Sequence, residues 1–267
     1  MSSVPLAALR RALTSPRAPR LAATLLLASL VAGCAGGAQP TSGGSGAGGG
    51  TGGDSPKAAG APQSPLLPSA FFADGGERFS AWRCTPSQNL VTTTPDAKRL
   101  RLWTALGSTE LQRAVAADGD RYVLGGVAFE RHGRDARVES DNGQLVCALA
   151  SERATTTRQA HPQSIFYASG NEPGWNVSLD RQTTTLTLVS DYGQAIDTFR
   201  YRVASVKNGS DARMVLVSDS GRQPLEMDLR AGACFDDMSG QPWPVKVTLR
   251  YGRHDWHGCG QGVEAKR

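Results

Sequence analysis

The run Val127-Ala-Phe-Glu-Arg-His-Gly-Arg-Asp-Ala-Arg-Val-Glu-Ser140, continued across Asp-Asn-Gly143 by Gln144-Leu-Val-Cys-Ala-Leu149, decides the fold class. Three short segments stand out in it: Val127–Glu130, Ala136–Ser140 and Gln144–Leu149. They are rich in Val, Leu and aromatic residues, and Gly, Asp and Asn punctuate them, which is the signature of antiparallel strands joined by tight turns. His132-Gly133 falls where a hairpin must reverse, and Gly there supplies φ > 0.

Working outward, the same signature recurs at Phe79–Cys84 and Arg99–Trp103. It returns at Trp175–Leu179, Thr184–Val189, Phe199–Val203, Arg213–Val217, Leu225–Leu229 and Val245–Arg250. No segment of either group reads as a helix. Strands at this spacing predict an all-β protein with two small antiparallel barrels or sandwiches, residues 67–150 and 164–267. The polar stretch 151–163 has no apolar periodicity and is expected to link them.

Five cysteines occur: Cys34, Cys84, Cys147, Cys234 and Cys259. Residues 1–20 carry Arg10, Arg11, Arg17 and Arg20 and no acid, and an apolar run, Leu21–Ala32, follows. Twelve helical residues span about 18 Å, too short for a ~30 Å hydrocarbon core. A basic stretch and then a short apolar one read as a secretory signal. It ends in Leu30-Val-Ala-Gly-Cys34, which looks like a bacterial lipobox, with 1–33 removed and Cys34 acylated. More than one acyl chain gives stable anchoring. Ala35, and not Asp, follows Cys34, which resembles outer-membrane sorting with the folded part facing the periplasm.

Eleven of the 32 residues from 35 to 66 are Gly, and most of the rest are small or polar. Such a segment cannot bury a core, so Cys34 and residues 35–66 are expected to act as a lipidated, disordered tether with an r.m.s. span of about 31 Å. Four cysteines remain for the folded part, and an exported chain with an even set reads as disulfide-bonded. Three pairings are possible. Cys84–Cys147 with Cys234–Cys259 keeps each bridge inside one module, and chain entropy allows at most roughly 4 and 3.5 kcal/mol for the two loops. No CxxC unit is present, so a metal site is not expected.

Charge excludes other classes. The net charge of +5 owes four residues to the arginines before Cys34; without them 25 basic residues face 24 acidic ones. No basic patch of a nucleic-acid binder appears.

The first module also carries Trp82-Arg83-Cys84, Asp118-Gly119-Asp120-Arg121-Tyr122, His132-Gly133-Arg134-Asp135-Ala136 and Val146-Cys147. In type and spacing these resemble the family of membrane-bound and periplasmic inhibitors of c-type lysozyme, over about residues 78–149. Its pattern is Y/F-x-C, then S-G-x-x-Y, then K-G-x-x-A, then a strand with a second Cys. The resemblance implies an eight-stranded antiparallel barrel closed by Cys84–Cys147. It also implies a loop and a hairpin turn that enter the cleft of lysozyme. A glycosidase of this kind works with two carboxylates, and the family's loop Ser and hairpin Lys donate to them.

By position the Ser corresponds to Asp118 and the Lys to His132, and both depart from the pattern. Asp118 brings a third carboxylate to the cleft, an unfavourable juxtaposition. His132 is a cation only at lower pH, so inhibition is expected to strengthen as pH falls. The expected contact set is Asp118, Gly119, Arg121, Tyr122, Arg131, His132 and Gly133, with Arg121, Arg131 and Arg134 able to share the cationic role. Tyr122 either faces the partner or anchors the loop from inside the barrel, and the second is preferred. Read without the resemblance, Asp118–Asp120 and His132–Gly133 are plain turns.

The second module carries Asn171-Glu172-Pro173-Gly174-Trp175 and Cys234-Phe235-Asp236-Asp237-Met238-Ser239-Gly240. These are similar to a family of bacterial envelope lipoprotein domains with N-E-P-x-W and C-x-D-x-M-S-G signatures, which brings a β-fold and a disulfide but no activity. Asp236 and Ser239 are expected to tie down the disulfide loop, and Ser239 has no local base to make it a nucleophile. His254 and His257 are expected to be exposed polar residues. A lipid-anchored, non-enzymatic inhibitor of c-type lysozyme without cofactor is the leading expectation. A non-inhibitory envelope lipoprotein with another cell-wall or protein partner is the alternative.

Overall fold

Where apolar residues fall on every second position, one face of a strand must be covered. In the computed structural model, which describes residues 65–265, that demand is met by two antiparallel sheets. Strands β1 (Arg78–Thr85), β2 (Gln88–Asp96), β3 (Arg99–Thr104), β4 (Gly107–Ala114), β5 (Asp120–Leu124), β6 (Val127–His132), β7 (Asp135–Ser140) and β8 (Gly143–Ala154) follow one another around a closed barrel. β8 returns to pair with β1, and Cys84 lies directly opposite Cys147 in that ladder. These two cysteines are bonded, as are Cys234 and Cys259. The interior is filled by Trp82, Leu90, Leu102, Leu111, Tyr122 and Phe129, among others.

The second sheet holds nine strands: β9 (Ser164–Asn171), β10 (Gly174–Asp180), β11 (Thr185–Ser190), β12 (Ala195–Arg200), β13 (Arg202–Lys207), β14 (Arg213–Ser218), β15 (Leu225–Phe235), β16 (Pro242–Tyr251) and β17 (His254–Gly262). Their order is β12-β11-β10-β9-β17-β16-β15-β14-β13. The two end strands are consecutive in the chain, with only Tyr201 between them. The sheet therefore coils so that both ends contribute to one core: Phe199 of β12, Leu186 and Leu188 of β11, and Met214 and Leu216 of β14 all belong to it. The segment Phe199–Val203, expected as one strand, is broken at Tyr201, because its first half pairs with β11 and its second with β14. Two three-residue 3-10 turns are the helical elements among the described residues, so the all-β expectation holds.

The expected linker is not a free one. Ser151 to Ala154 continue β8 and pair with β1, so the barrel extends past residue 150. Beyond it, Thr155 N–H donates to the Glu77 carbonyl and Arg158 N–H to that of Glu264. A third apolar cluster of Ala73, Phe79, Val91, Trp103 and Ala233, with Phe235 beside it, joins the outer face of β1–β3 to β15. The two sheets thus share a buried seam. The signal segment, Cys34 and residues 35–64 lie outside the described residues.

Candidate functional site

The site is built at one end of the first barrel. β4 runs out at Ala114, and residues 115–119 carry the chain to β5. β6 ends at His132 and β7 begins at Asp135. Because β5 pairs with β6, Asp120 faces Arg131 across the ladder, and the loop before Asp120 lies beside the turn after Arg131. The two segments that the lysozyme-inhibitor resemblance marks are thus brought together.

Gly119 makes that approach possible. Its φ is +72°, and a Cβ there would lie 2.3 Å from the Arg131 carbonyl oxygen and 2.9 Å from His132 Nδ1. Only a residue without a side chain fits both demands. Gly133 also has positive φ, +64°, but faces open space, so only its turn geometry calls for Gly.

The charges are arranged in two groups. Asp120 is held between Arg113 Nη2 at 2.7 Å and Arg131 Nη2 at 2.9 Å, and the Arg113 guanidinium lies 6.0 Å from the Tyr122 ring centroid. His132 Nδ1 is 3.5 Å from Asp118 Oδ2, and its Nε2 is 3.8 Å from Glu130 Oε1. The Asp118 side chain is 90% exposed at the apex, and its Oδ1 accepts from the Gly119 N–H at 2.8 Å. Arg134 Nη2 donates to the Leu149 carbonyl, which turns it toward β8. Half-buried Arg121 sits opposite Glu130 in the β5–β6 ladder.

Tyr122 is 4% exposed and packs in the barrel core. It cannot offer its ring to a partner; it anchors β5 from inside, which corrects its place among the expected contact residues. Burial pushes its hydroxyl pKa up, with nearby Asp120 adding to the effect. Sequence reasoning left out Arg113, Asp120 as an ion-pair hub, and Glu130. Their meeting depends on the β4–β5–β6 pairing, which no motif in the sequence shows. A shallow basin of about 490 Å³, lined by Lys98, Arg113, Ala114, Val115, Ala116 and Gly119, adjoins this tip, and Val115 is 98% exposed on its rim.

The second sheet brings its two motifs together as well. Asn171 Nδ2 donates to Asp236 Oδ2 at 2.8 Å, while Asp236 Oδ1 accepts from Ser239 N at 2.7 Å and Ser239 Oγ at 2.6 Å. Desolvation is the largest influence on Asp236 and raises its pKa, but these bonds together outweigh it and hold the carboxyl below the ordinary range. The expected tie of the disulfide loop is thus present. The loop then docks on the first barrel, where Ser151 Oγ donates to the Gly240 carbonyl at 2.8 Å. His254 and His257 are exposed on β17, and no cluster of metal-binding side chains occurs among the described residues.

Compared with models of known protein families, the chain matches none. No curated protein matches it in sequence either.

Proposed function

We propose that the chain is a lipid-anchored, non-enzymatic envelope protein whose first barrel binds and blocks c-type lysozyme. The observation that carries this reading is the contact of the 118–120 loop with the Arg131–His132 end of β6, at the tip of a disulfide-closed eight-stranded barrel. A cleft with two carboxylates is met by a projecting tip that can offer donors. His132 is the donor at the centre of that tip, and Arg131 and Arg113 keep Asp120 neutralised beside it. Acylation at Cys34 would place the barrel at the outer membrane, facing the periplasm, where it would protect the cell wall.

The exposure of Asp118 favours a second reading. An exposed carboxylate at the apex suits a basic partner better than an acidic cleft, which is the arrangement of a non-inhibitory envelope protein with a different target. A lysis assay separates the two. The soluble chain from Ala35 is titrated against a c-type lysozyme at pH 5.5 and 7.5. Saturable inhibition, stronger at pH 5.5, supports the first reading. No inhibition at either pH by folded protein discards it in favour of the second.

A further inference from the structure

β13 ends the nine-stranded sheet. β14 pairs with one of its edges, and among the described residues no strand pairs with the other. All six of its residues are exposed. Val203 lies opposite Leu216 and Val206 opposite Met214, and paired residues share a face of the sheet. Leu216 and Met214 are 0% and 1% exposed, whereas Val203 and Val206 are 38% and 51% exposed. Their side of β13 is therefore the core side, and the cover over it stops before the last strand. A free edge of this kind presents unpaired N–H and C=O groups to any extended chain.

The charges select the occupant. No acid occurs between Asp197 and Asp211, while Arg200, Arg202 and Lys207 do. Lys207 pairs with Asp211, and neither Arg200 nor Arg202 has a carboxylate partner among the described residues. A second copy adding antiparallel across the strand centre would set Arg202 against Lys207 twice, and like charges directly opposite are destabilising. The bulge at Ala204 further discourages flat self-pairing. An incoming strand with apolar residues and a carboxylate set against Arg202 meets no such obstacle, and a second carboxylate would share Lys207 with Asp211.

We propose that β13 is a docking edge for an extended, acidic-flanked segment of another protein, which adds as a tenth strand and covers Val203 and Val206. Main-chain hydrogen bonds would supply affinity, and the two valines and flanking cations the selectivity. This proposal does not depend on the lysozyme reading.

The test uses the full chain from Ala35 and three fluorescent eight-residue peptides. One alternates Val and Thr between terminal Glu pairs, one replaces Glu by Lys, and one is the Glu peptide N-methylated at alternate residues. The Glu peptide should bind saturably, at least tenfold tighter than the Lys peptide, and the N-methylated peptide should lose at least tenfold. R202E should weaken the Glu peptide at least fivefold, and V206K should weaken both unmethylated peptides, each with unchanged thermal unfolding. Equal binding of the N-methylated peptide would overturn strand addition, and no binding of the Glu peptide with or without residues 35–64 would overturn the proposal outright. A concentration-dependent dimer lost in V206K would assign the edge to a second copy instead. If deleting residues 35–64 is needed before the Glu peptide binds, the occupant is the chain's own tether.

Discussion

The Arg153 guanidinium lies 3.5 Å from the centroid of the Trp243 ring, and the contact fastens the first barrel to the second sheet. Its nitrogens are spent at the same place: Nε donates to the Pro242 carbonyl at 2.9 Å, Nη1 to the Ala154 carbonyl at 3.0 Å and Nη2 to Gln261 Oε1 at 2.6 Å. Phe79 lies on it as well, 5.2 Å from ring centroid to guanidinium. No carboxylate pairs with this cation among the described residues. Burial lowers its pKa to about 9, which leaves it charged at neutral pH.

Arg153→Ala removes the stacked cation and strips Gln261, 0% exposed, of a donor. A desolvated cation–π contact contributes about 2 kcal/mol, and each buried acceptor left unsatisfied costs about 1–3 kcal/mol. R153A should therefore lose about 3–5 kcal/mol in urea unfolding. R153K should recover only part, because an ammonium lacks the planar fork that reaches several acceptors. The parent should unfold in one transition by both Trp fluorescence and far-UV dichroism. Two separated transitions in the parent would show that the seam does not couple the sheets.

Asp228 gives a pH-dependent counterpart on the outer face of the second sheet. It accepts from Arg213 at 2.9 and 2.8 Å and from Arg230 at 3.0 and 2.7 Å. Desolvation is the largest single influence and raises its pKa, but the arginine bonds together exceed it and hold the carboxyl below its ordinary 3.8. The folded state then binds fewer protons than the unfolded chain as the pH drops past that value. The contribution is complete above about pH 4 and is lost as pH falls through the lowered pKa. D228N should cost about 1–3 kcal/mol at pH 7. The gap between parent and variant should narrow as pH falls below about 4, read from urea midpoints. A gap that stays constant over that range would show that the carboxylate charge is not what the arginines hold.

How much of this was legible in the sequence differs between the elements. β10 alternates apolar and polar residues cleanly, so period two reveals it, whereas β14 is an unbroken apolar run from Met214 to Val217 whose alternation shows only in its burial. β2 does not: in Gln88–Asp96 the buried residues include Thr92 and Thr93, which look polar. Both are satisfied locally, Thr92 Oγ1 by Trp82 Nε1 at 2.8 Å and Thr93 Oγ1 by donation to the Arg78 carbonyl at 2.7 Å. Composition alone cannot foresee such bonds. β17 was hidden by its glycines, Gly258, Gly260 and Gly262, which let neighbouring backbone and rings approach closely. At the candidate site, motif spacing brought out Asp118 and His132. The Arg113–Asp120–Arg131 bridge could not be seen, because it depends on which strands pair and not on distance along the chain.

Asp118 and His132 allow the proposed inhibition to be taken apart. His132→Lys supplies a permanent cation, so inhibition of a c-type lysozyme should strengthen at pH 7.5. His132→Gln should be weak at both. Asp118→Ser removes the exposed carboxylate, and its inhibition should rise about tenfold, the scale of one unfavourable charge contact of roughly 1.4 kcal/mol. The measurement is the inhibitor concentration that halves lysis of a cell-wall suspension. If H132K inhibits no better than the parent, a cation at this position is not what the partner reads. If D118S weakens inhibition, the apex carboxylate is an attractive contact and the partner surface it meets is basic.

Gly119 tests whether the contact between loop and β6 end is what matters. A methyl group at this position is placed 2.3 Å from the Arg131 carbonyl oxygen, which belongs to backbone that is fixed by the β6–β7 ladder. The loop must therefore withdraw, and a non-glycine residue at φ +72° adds about 1–3 kcal/mol of strain. G119A should lower stability by about that amount and still fold, because the closed strand ladder and the Cys84–Cys147 bond are left intact. Partner binding should fall further than stability does, by at least tenfold, since Asp118 and His132 no longer share one surface. Gly133→Ala is the matched control: its φ of +64° imposes similar strain, but no atom lies within 4 Å of the added methyl. Equal losses of binding in the two variants would mean that turn strain alone governs the site. A loss confined to G119A would mean that the close approach of loop to β6 builds it.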